Sequence, residues 1–566
     1  MQLDRPWIKT YPPPARWDAA IATGPVYEVL DTSVARYADR PAIEMMGKKA
    51  TYREFGNLVD RAAKGFQELG VGPGVAVGLY LPNTPHYLVA FFGVLKAGGT
   101  VVNYSPLDAE QVLRYKIEDS ATQIVVTLDL PILLPVMEKL CGTHLLRTIV
   151  IGSGAADLLA FPAFANAPDA PREPVDATTT RVSFARLLHN DAHYVVHPFD
   201  DPEETIAVIQ YTGGTTGLAK GAILTHANLM AATNQYYETT KVEPPLLLEG
   251  VERTILVLPL FHIYALTSVM LLSIKIGSEM LLHPRFDADA IVRDLATKKV
   301  TIFYGVPTMY AALNNHPKMA EIDLPQLKYC ASGGAPLPLG VQTRFRELTK
   351  CDISEGWGMT ETSPSGTFTP IRGLRKAGSC GIPVPAADIR LVAVDDATRY
   401  VPLGERGEIC IKGPNVMKGY WKAPDATRDA MTAEGYLRTG DVGYMDEDGF
   451  LFIVDRIKDM LLCSGFNVYP RNIEEAIYTH PSVAEACVIG IPDEYRGEIP
   501  KAFITLKKNA APFTLEALTE HLSGKLGKFE MVQALEFRET LPKTAVGKFA
   551  KTVLYEEEER RRSAVS

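Results

Sequence analysis

Apolar residues along this chain fall into short runs separated by longer segments of helical periodicity. Residues 75–80, Val-Ala-Val-Gly-Leu-Tyr, form one such run; residues 85–95 follow with a helical pattern that stops at Gly98-Gly99. Residues 100–103 and 124–127 repeat the apolar run. Short apolar runs bounded by turn residues read as buried strands, and their alternation with helices predicts α/β layering. The same reading gives a strand at 205–210, a helix starting near His226 with Thr225 as its cap, and strands at 300–303 and 329–331. Residues 152–180 are rich in Ala, Pro and Asp and read as an exposed excursion. A smaller α/β module spans 473–540, behind a helix that starts near Asn472. It has strands at 487–491 and 501–506 and a helix at 515–526. Residues 556–562, EEEERRR, read as a frayed helical tail. No internal repeat emerges.

Residues 255–274 carry no formal charge, and their length would just span a bilayer. Pro259 and His262 interrupt the first half, so the stretch reads as a strand, a turn at 259–262 and a buried helix. The first seventeen residues hold four prolines and no apolar run, unlike a secretory signal. With 566 residues, 46% of them hydrophobic, the chain suits two or more domains. A formal net charge of −9 disfavours nonspecific binding to nucleic acid. Seven scattered cysteines with no C-x-x-C pair suit reduced thiols in a cytoplasmic protein.

The densest chemistry lies at 211–222, Tyr-Thr-Gly-Gly-Thr-Thr-Gly-Leu-Ala-Lys-Gly-Ala, directly after a strand. Glycines admit close backbone approach, successive N–H groups form an anion nest, and Lys220 adds a point charge suited to phosphate. Neither a Walker spacing nor a Rossmann G-x-G-x-x-G is present. Alone, such a stretch is most often a surface turn. Other candidates are ordinary one by one. His262 follows an apolar strand, where histidines usually pack. Trp357 stands between two glycines and offers a flat face to a base. Glu361 is a hard oxygen ligand of the kind Mg²⁺ takes beside phosphates. Asp441 is placed in a turn, where a carboxylate can accept both hydroxyls of a ribose. Lys548 sits in a Pro/Gly turn, where a lysine is normally solvated.

Read together and in order, YTGGTTGLAKG, PLFHIYAL, YGVPTMY, SGGAPL, EGWGMTETSP, GPNVMKGYW, YLRTGDVGYMDEDGF, VDRIKDMLLCSGFNVYPRNIE and LPKTAVGK resemble the motifs of bacterial long-chain fatty-acid–CoA ligases. These are acyl-CoA synthetases of the adenylate-forming superfamily, and the resemblance covers essentially the whole chain. It implies an α/β fold with a large layered N-terminal domain, residues 1–457, and a small α+β lid, residues 458–566, hinged at Lys458. It also implies ATP-dependent ligation of a medium- or long-chain fatty acid to CoA through an acyl-adenylate, with Mg²⁺ as cofactor and AMP and pyrophosphate released.

The resemblance assigns roles by position. Thr212, Gly213, Gly214, Thr215, Thr216, Gly217 and Lys220 would hold the ATP phosphates, with Thr212 and Glu361 near the metal. Trp357, Gly334 and Ala335 would flank the adenine, Asp441 and Arg456 would hold the ribose, and Gly358 and Thr360 would belong to the same ATP/AMP site. Lys548 would bridge the acyl carboxylate and the α-phosphate, with His262 close by. Tyr264, Leu266, Tyr304 and Gly305 would line the acyl pocket, and Gly465 and Phe466 the CoA tunnel. Trp357 departs from the tyrosine usual in its motif, and Ala219 and Val532 stand where proline is common. Leu266 falls where one thermophilic relative has a tryptophan gate, so gating by that route is not expected. Two alternatives stay open: a dicarboxylate–CoA ligase, and a non-catalytic acyl- or adenylate-binding protein. An amino-acid adenylation domain is disfavoured, because its usual aspartate falls where this chain has Ala265-Leu266. A homodimer and peripheral contact with the inner membrane are left open too.

Overall fold

Apolar strands that are buried on both faces need helices on both sides, and the computed structural model builds its first part that way. It describes residues 5–141, 146–154, 156–163, 173–174, 180–197, 201–212, 219–464, 466–493, 495–544 and 547–565. Among these, one sheet runs in the order Ile353–Glu355, Tyr329–Ser332, Ile302–Gly305, Arg253–Leu256, Glu279–Leu282, Pro41–Met45, Lys48–Thr51, parallel up to its last, antiparallel pair. A second is built around the parallel strands Ile206–Thr212, Thr100–Asn103, Ala76–Leu79, Ile124–Leu128, Thr148–Gly152 and Thr180–Ser183. Between the sheets lies the helix Pro85–Lys96, every residue of which is buried. The helix Tyr52–Glu68 packs on it, opened by a capping box in which Thr51 and Glu54 satisfy each other's backbone N–H groups.

A four-stranded antiparallel sheet follows, Asp388–Val392, Gly407–Lys412, Leu437–Met445 and Leu451–Arg456. The last part of the chain has its own sheet, in which Val483–Asp493 pairs with Gly497–Leu506, and its own core around Ile473, Val488, Ile504 and Leu518. All seven cysteines are buried. Among the described residues no helix is long and apolar enough to cross a membrane.

Three readings of the sequence are corrected. The glycine-rich stretch is not all turn: its last residues open the strand Lys220–Thr225, which pairs antiparallel with Ile206–Thr212 and sets Lys220 opposite Thr212. Thr225 still caps His226–Thr239, accepting the Asn228 N–H at 3.1 Å. The buried helix expected after His262 is a π-helix over Tyr264–Leu271 that becomes α only at Leu272–Lys275. A run without charged residues has no charged face to reveal its period, so the wider winding was hidden. The charged tail is not frayed but lies within the helix Lys551–Val565. There Lys501 meets Glu558 at 2.8 Å, Arg538 meets Glu557 at 2.5 Å, and Arg561 meets Glu536 at 2.6 Å.

Candidate active site

The parallel strands Ile302–Gly305, Tyr329–Ser332 and Ile353–Glu355 end side by side, and the turns after them build the site, as open α/β sheets favour at their carboxyl ends. Gly334 takes a φ of +80°, which an L side chain rarely adopts. A Cβ there would also lie 3.3 Å from Cε of Lys548. The loop carrying Lys548 is seated by Gly547, where an added Cβ would meet Thr308 Oγ1 at 3.0 Å and Val306 at 3.1 Å. A small cavity is lined by Leu258, Pro259, His262, Tyr264, Ala265, Val306, Gly334 and Lys548. The π-helix contributes Tyr264 and Ala265 to this lining.

Charge in the cavity is unevenly held. Burial, and then the Arg456 guanidinium, lower the pKa of Lys548, while Asp441 and Glu361 pull it back up. Lys458 is lowered in the same way, by burial and Arg456. His262 is pushed down to about 3 by burial and by Lys548, so at neutral pH it is uncharged. Lys548 is then the one cation among the residues lining the cavity.

Asp441 lies in the strand Leu437–Met445, opposite Arg456 in Leu451–Arg456, and not in the turn expected. Gly440, at a φ of +71°, supplied the turn-like signature just before it. Arg456 Nε stands 2.8 Å from Asp441 Oδ1. Trp357 is anchored through its backbone to Thr367, and its indole Nε1 donates to Asp441 Oδ2 at 2.8 Å. Glu361 is buried, and its Oε1 accepts the Tyr420 hydroxyl at 2.8 Å. Lys220 Nζ sits 5.2 Å over the ring of Tyr420. Asn415 holds the turn around Glu361 by donating to the carbonyls of Thr362 and Ser365, and Met417 N–H donates to the Glu361 carbonyl.

The structure therefore draws Lys548, His262, Tyr264, Gly334, Glu361, Asp441, Arg456 and Lys458 around one place. Thr212 ends its strand beside Lys220, while Gly213, Gly214, Thr215, Thr216 and Gly217 lie outside the described residues, as does Gly465. Gly358 is pinned by space: a Cβ would fall 1.5 Å from the Pro364 carbonyl oxygen. Thr360 opens the short turn that holds Glu361, and Ala335 follows Gly334. Leu266 is fully buried and Tyr304 nearly so, beside Gly305. Phe466 stays apart, half exposed and stacked on Phe529 at 3.9 Å. Tyr420 and Asn415 were missed as site residues. Their signal was present, since both belong to GPNVMKGYW, a motif read without a role.

Residues 30–421 match the AMP-binding enzyme family, and residues 472–548 match the AMP-binding enzyme C-terminal domain. The chain belongs to the AMP-binding enzyme family, with the adenylate-forming fold of acyl-CoA synthetases. It is 39% identical to the long-chain-fatty-acid–CoA ligase of Bacillus subtilis (strain 168), over 99% of both chains. It is 37% identical to the long-chain-fatty-acid–CoA ligase of Escherichia coli O6:H1, over 98% of both. Among solved structures it resembles ATP-bound MatB from Rhodopseudomonas palustris, with a TM-score of 0.83 and 28% identity over 95% of this chain and 99% of that one.

Proposed function

We propose that this chain is an AMP-forming ligase that joins a long-chain fatty acid to CoA. The observation that carries the reading is Lys548, which lines an otherwise uncharged cavity together with Gly334 and His262 and feels the charges of Arg456 and Asp441. The near full-length similarity to two long-chain-fatty-acid–CoA ligases supports the same substrate class.

A carboxylate is a weak nucleophile and its hydroxyl a poor leaving group. In the first step a carboxylate oxygen attacks the α-phosphorus of ATP, the bond to the pyrophosphate oxygen breaks, and an acyl-adenylate forms. Two anions must approach, so a cation fixed between them lowers the barrier. Lys548 takes that place, and Lys220 with the glycine-rich loop takes the departing phosphates. Asp441 and Arg456 hold the ribose, Trp357, Gly334 and Ala335 flank the adenine, and Gly358 and Thr360 belong to the same nucleotide site. In the second step the CoA sulfur attacks the acyl carbon and AMP leaves.

Glu361, buried and with one oxygen already fixed by Tyr420, suits a hard divalent cation, with Thr212 as the second ligand residue. Mg²⁺ bound there would neutralise phosphate charge. A large domain over residues 1–457 and a lid over 458–566, hinged at Lys458, complete the reading. Gly465 and Phe466 serve the CoA tunnel once the lid has turned.

The acyl end discriminates between mono- and dicarboxylic substrates. Apart from Lys548 the cavity is lined by Leu258, Pro259, Tyr264, Ala265, Val306, Gly334 and an uncharged His262, so the wall around the reacting end is apolar or neutral. Each buried methylene contributes about 0.8 kcal/mol, so kcat/KM is expected to climb with chain length and to favour monocarboxylic acids of about eight carbons or more. A panel of mono- and dicarboxylic acids, read by CoA-dependent AMP formation, checks this. Preference for acetate, a dicarboxylate or an amino acid would overturn it.

A further inference from the structure

We propose that Trp357 is a positioning residue of the ribose site. Its indole N–H orients Asp441 so that the nucleotide is selected by both ribose hydroxyls. This rests on the reading that Asp441 holds the ribose.

The geometry is specific. The Trp357 ring lies directly on the backbone of Gly366, where an added Cβ would come within 2.6 Å of ring atom Cε3. The Thr367 N–H donates to the Trp357 carbonyl at 2.8 Å, and the Trp357 N–H donates to Thr367 Oγ1 at 3.0 Å. So fixed, the indole has one donor and no acceptor, and it spends that donor on Asp441 Oδ2 at 2.8 Å. On the other side Arg456 Nε approaches Oδ1 at 2.8 Å. Asp441 is itself 9% exposed and sits in a paired strand, so its carboxylate has little freedom beyond rotation about its last bonds.

An ionised carboxylate accepts at about four lone-pair sites, two on each oxygen. The indole N–H takes one site on Oδ2, and Arg456 Nε meets Oδ1 as an ion pair without hydrogen-bond geometry, so each oxygen keeps a free site for one of two vicinal hydroxyls. Without the indole N–H, Oδ2 would have no side-chain hydrogen bond among the described residues, and the carboxylate could turn toward Arg456 as a bidentate pair. A tyrosine at this position would carry its hydroxyl at the far end of the ring, so the donor at the ring's side belongs to the tryptophan.

The test measures kcat/KM for ATP and for 2′-deoxy-ATP in the full-length enzyme and in Trp357→Phe, which keeps an aromatic face and removes the donor. With ATP the variant is expected to lose about tenfold, the value of one hydrogen bond to a charged acceptor, chiefly through KM. With 2′-deoxy-ATP, which lacks one of the two hydroxyls, the loss is expected to be clearly smaller, so discrimination between the nucleotides narrows. Equal losses for the two nucleotides, or no loss, would overturn the proposal, because a stacking platform alone does not sense the 2′-hydroxyl. Trp357→Tyr removes the same side donor and carries the comparison if the phenylalanine variant does not fold. Asp441→Ala separates the layers. Discrimination lost there but intact in Trp357→Phe rejects the role of Trp357 alone; discrimination intact in Asp441→Ala rejects the ribose reading beneath it.

Discussion

Replacing Lys548 by alanine is expected to slow acyl-adenylate formation by about three orders of magnitude or more, as removal of a charge that acts in the transition state does. The cavity explains the size of the effect. His262 is held uncharged, and the other lining residues are apolar or neutral, so no other residue lining the cavity supplies a cation in its place. Water is not a good substitute in a site whose walls are Leu258, Pro259, Ala265 and Val306. CoA transfer from supplied acyl-adenylate should suffer far less, because that step neutralises no approaching anions at the α-phosphorus. Measuring the two half-reactions separately checks the assignment, and equal losses in both would contradict it.

A pH profile gives the same residue a second signature. Burial and Arg456 lower the pKa of Lys548, and the charged form is the useful one. Raising the pH through that lowered value removes the cation, so adenylation should fall in the alkaline range earlier than an ordinary lysine, near about 10.4, would dictate. Lys548→Ala should lose this alkaline limb and keep only its low residual rate.

Lys458→Pro is expected to leave acyl-adenylate formation near normal and to slow CoA transfer by about a hundredfold or more, if the lid must turn between the steps. Lys458 lies in the short 3-10 turn Ile457–Asp459, between the strand that ends at Arg456 and the one that starts at Leu461. Proline's φ near −65° falls within the range of such a turn, so the observed arrangement, with Lys548 in the cavity, should tolerate it. A large backbone rotation at that residue should not. The rotation has something to release: Asp455, pushed up to about 6 by burial, accepts the backbone N–H of Arg471 at 2.9 Å and so ties the strand end to the helix Pro470–Tyr478. CoA transfer at the parental rate in the proline variant would show that the hinge is elsewhere.

Local signals were readable where one short segment decides the outcome. Thr225 announced a helix start, and the apolar runs at 100–103 and 124–127 read as interior strands. Residues 264–274 show where this stops, since a run without charged residues says buried without saying how the backbone winds. Asp441 was misplaced because Gly440 looks like a turn residue, whereas pairing with the distant strand Leu451–Arg456 sets the local geometry. The tail was misjudged because its charges are answered by Lys501, Glu536 and Arg538, whose proximity only the fold creates. The ordered motifs located most of the site, yet the bond between Trp357 and Asp441 joins residues 84 positions apart, and no spacing rule reaches that far.

The central claim is that a carboxylate is activated as an acyl-adenylate. It is tested most directly by running the full reaction with a fatty acid whose carboxylate carries ¹⁸O, then weighing the products. Attack on the α-phosphorus followed by thiolysis leaves one labelled oxygen in the phosphate of AMP and none in pyrophosphate. AMP free of label, or label in inorganic phosphate formed beside ADP, would contradict the account.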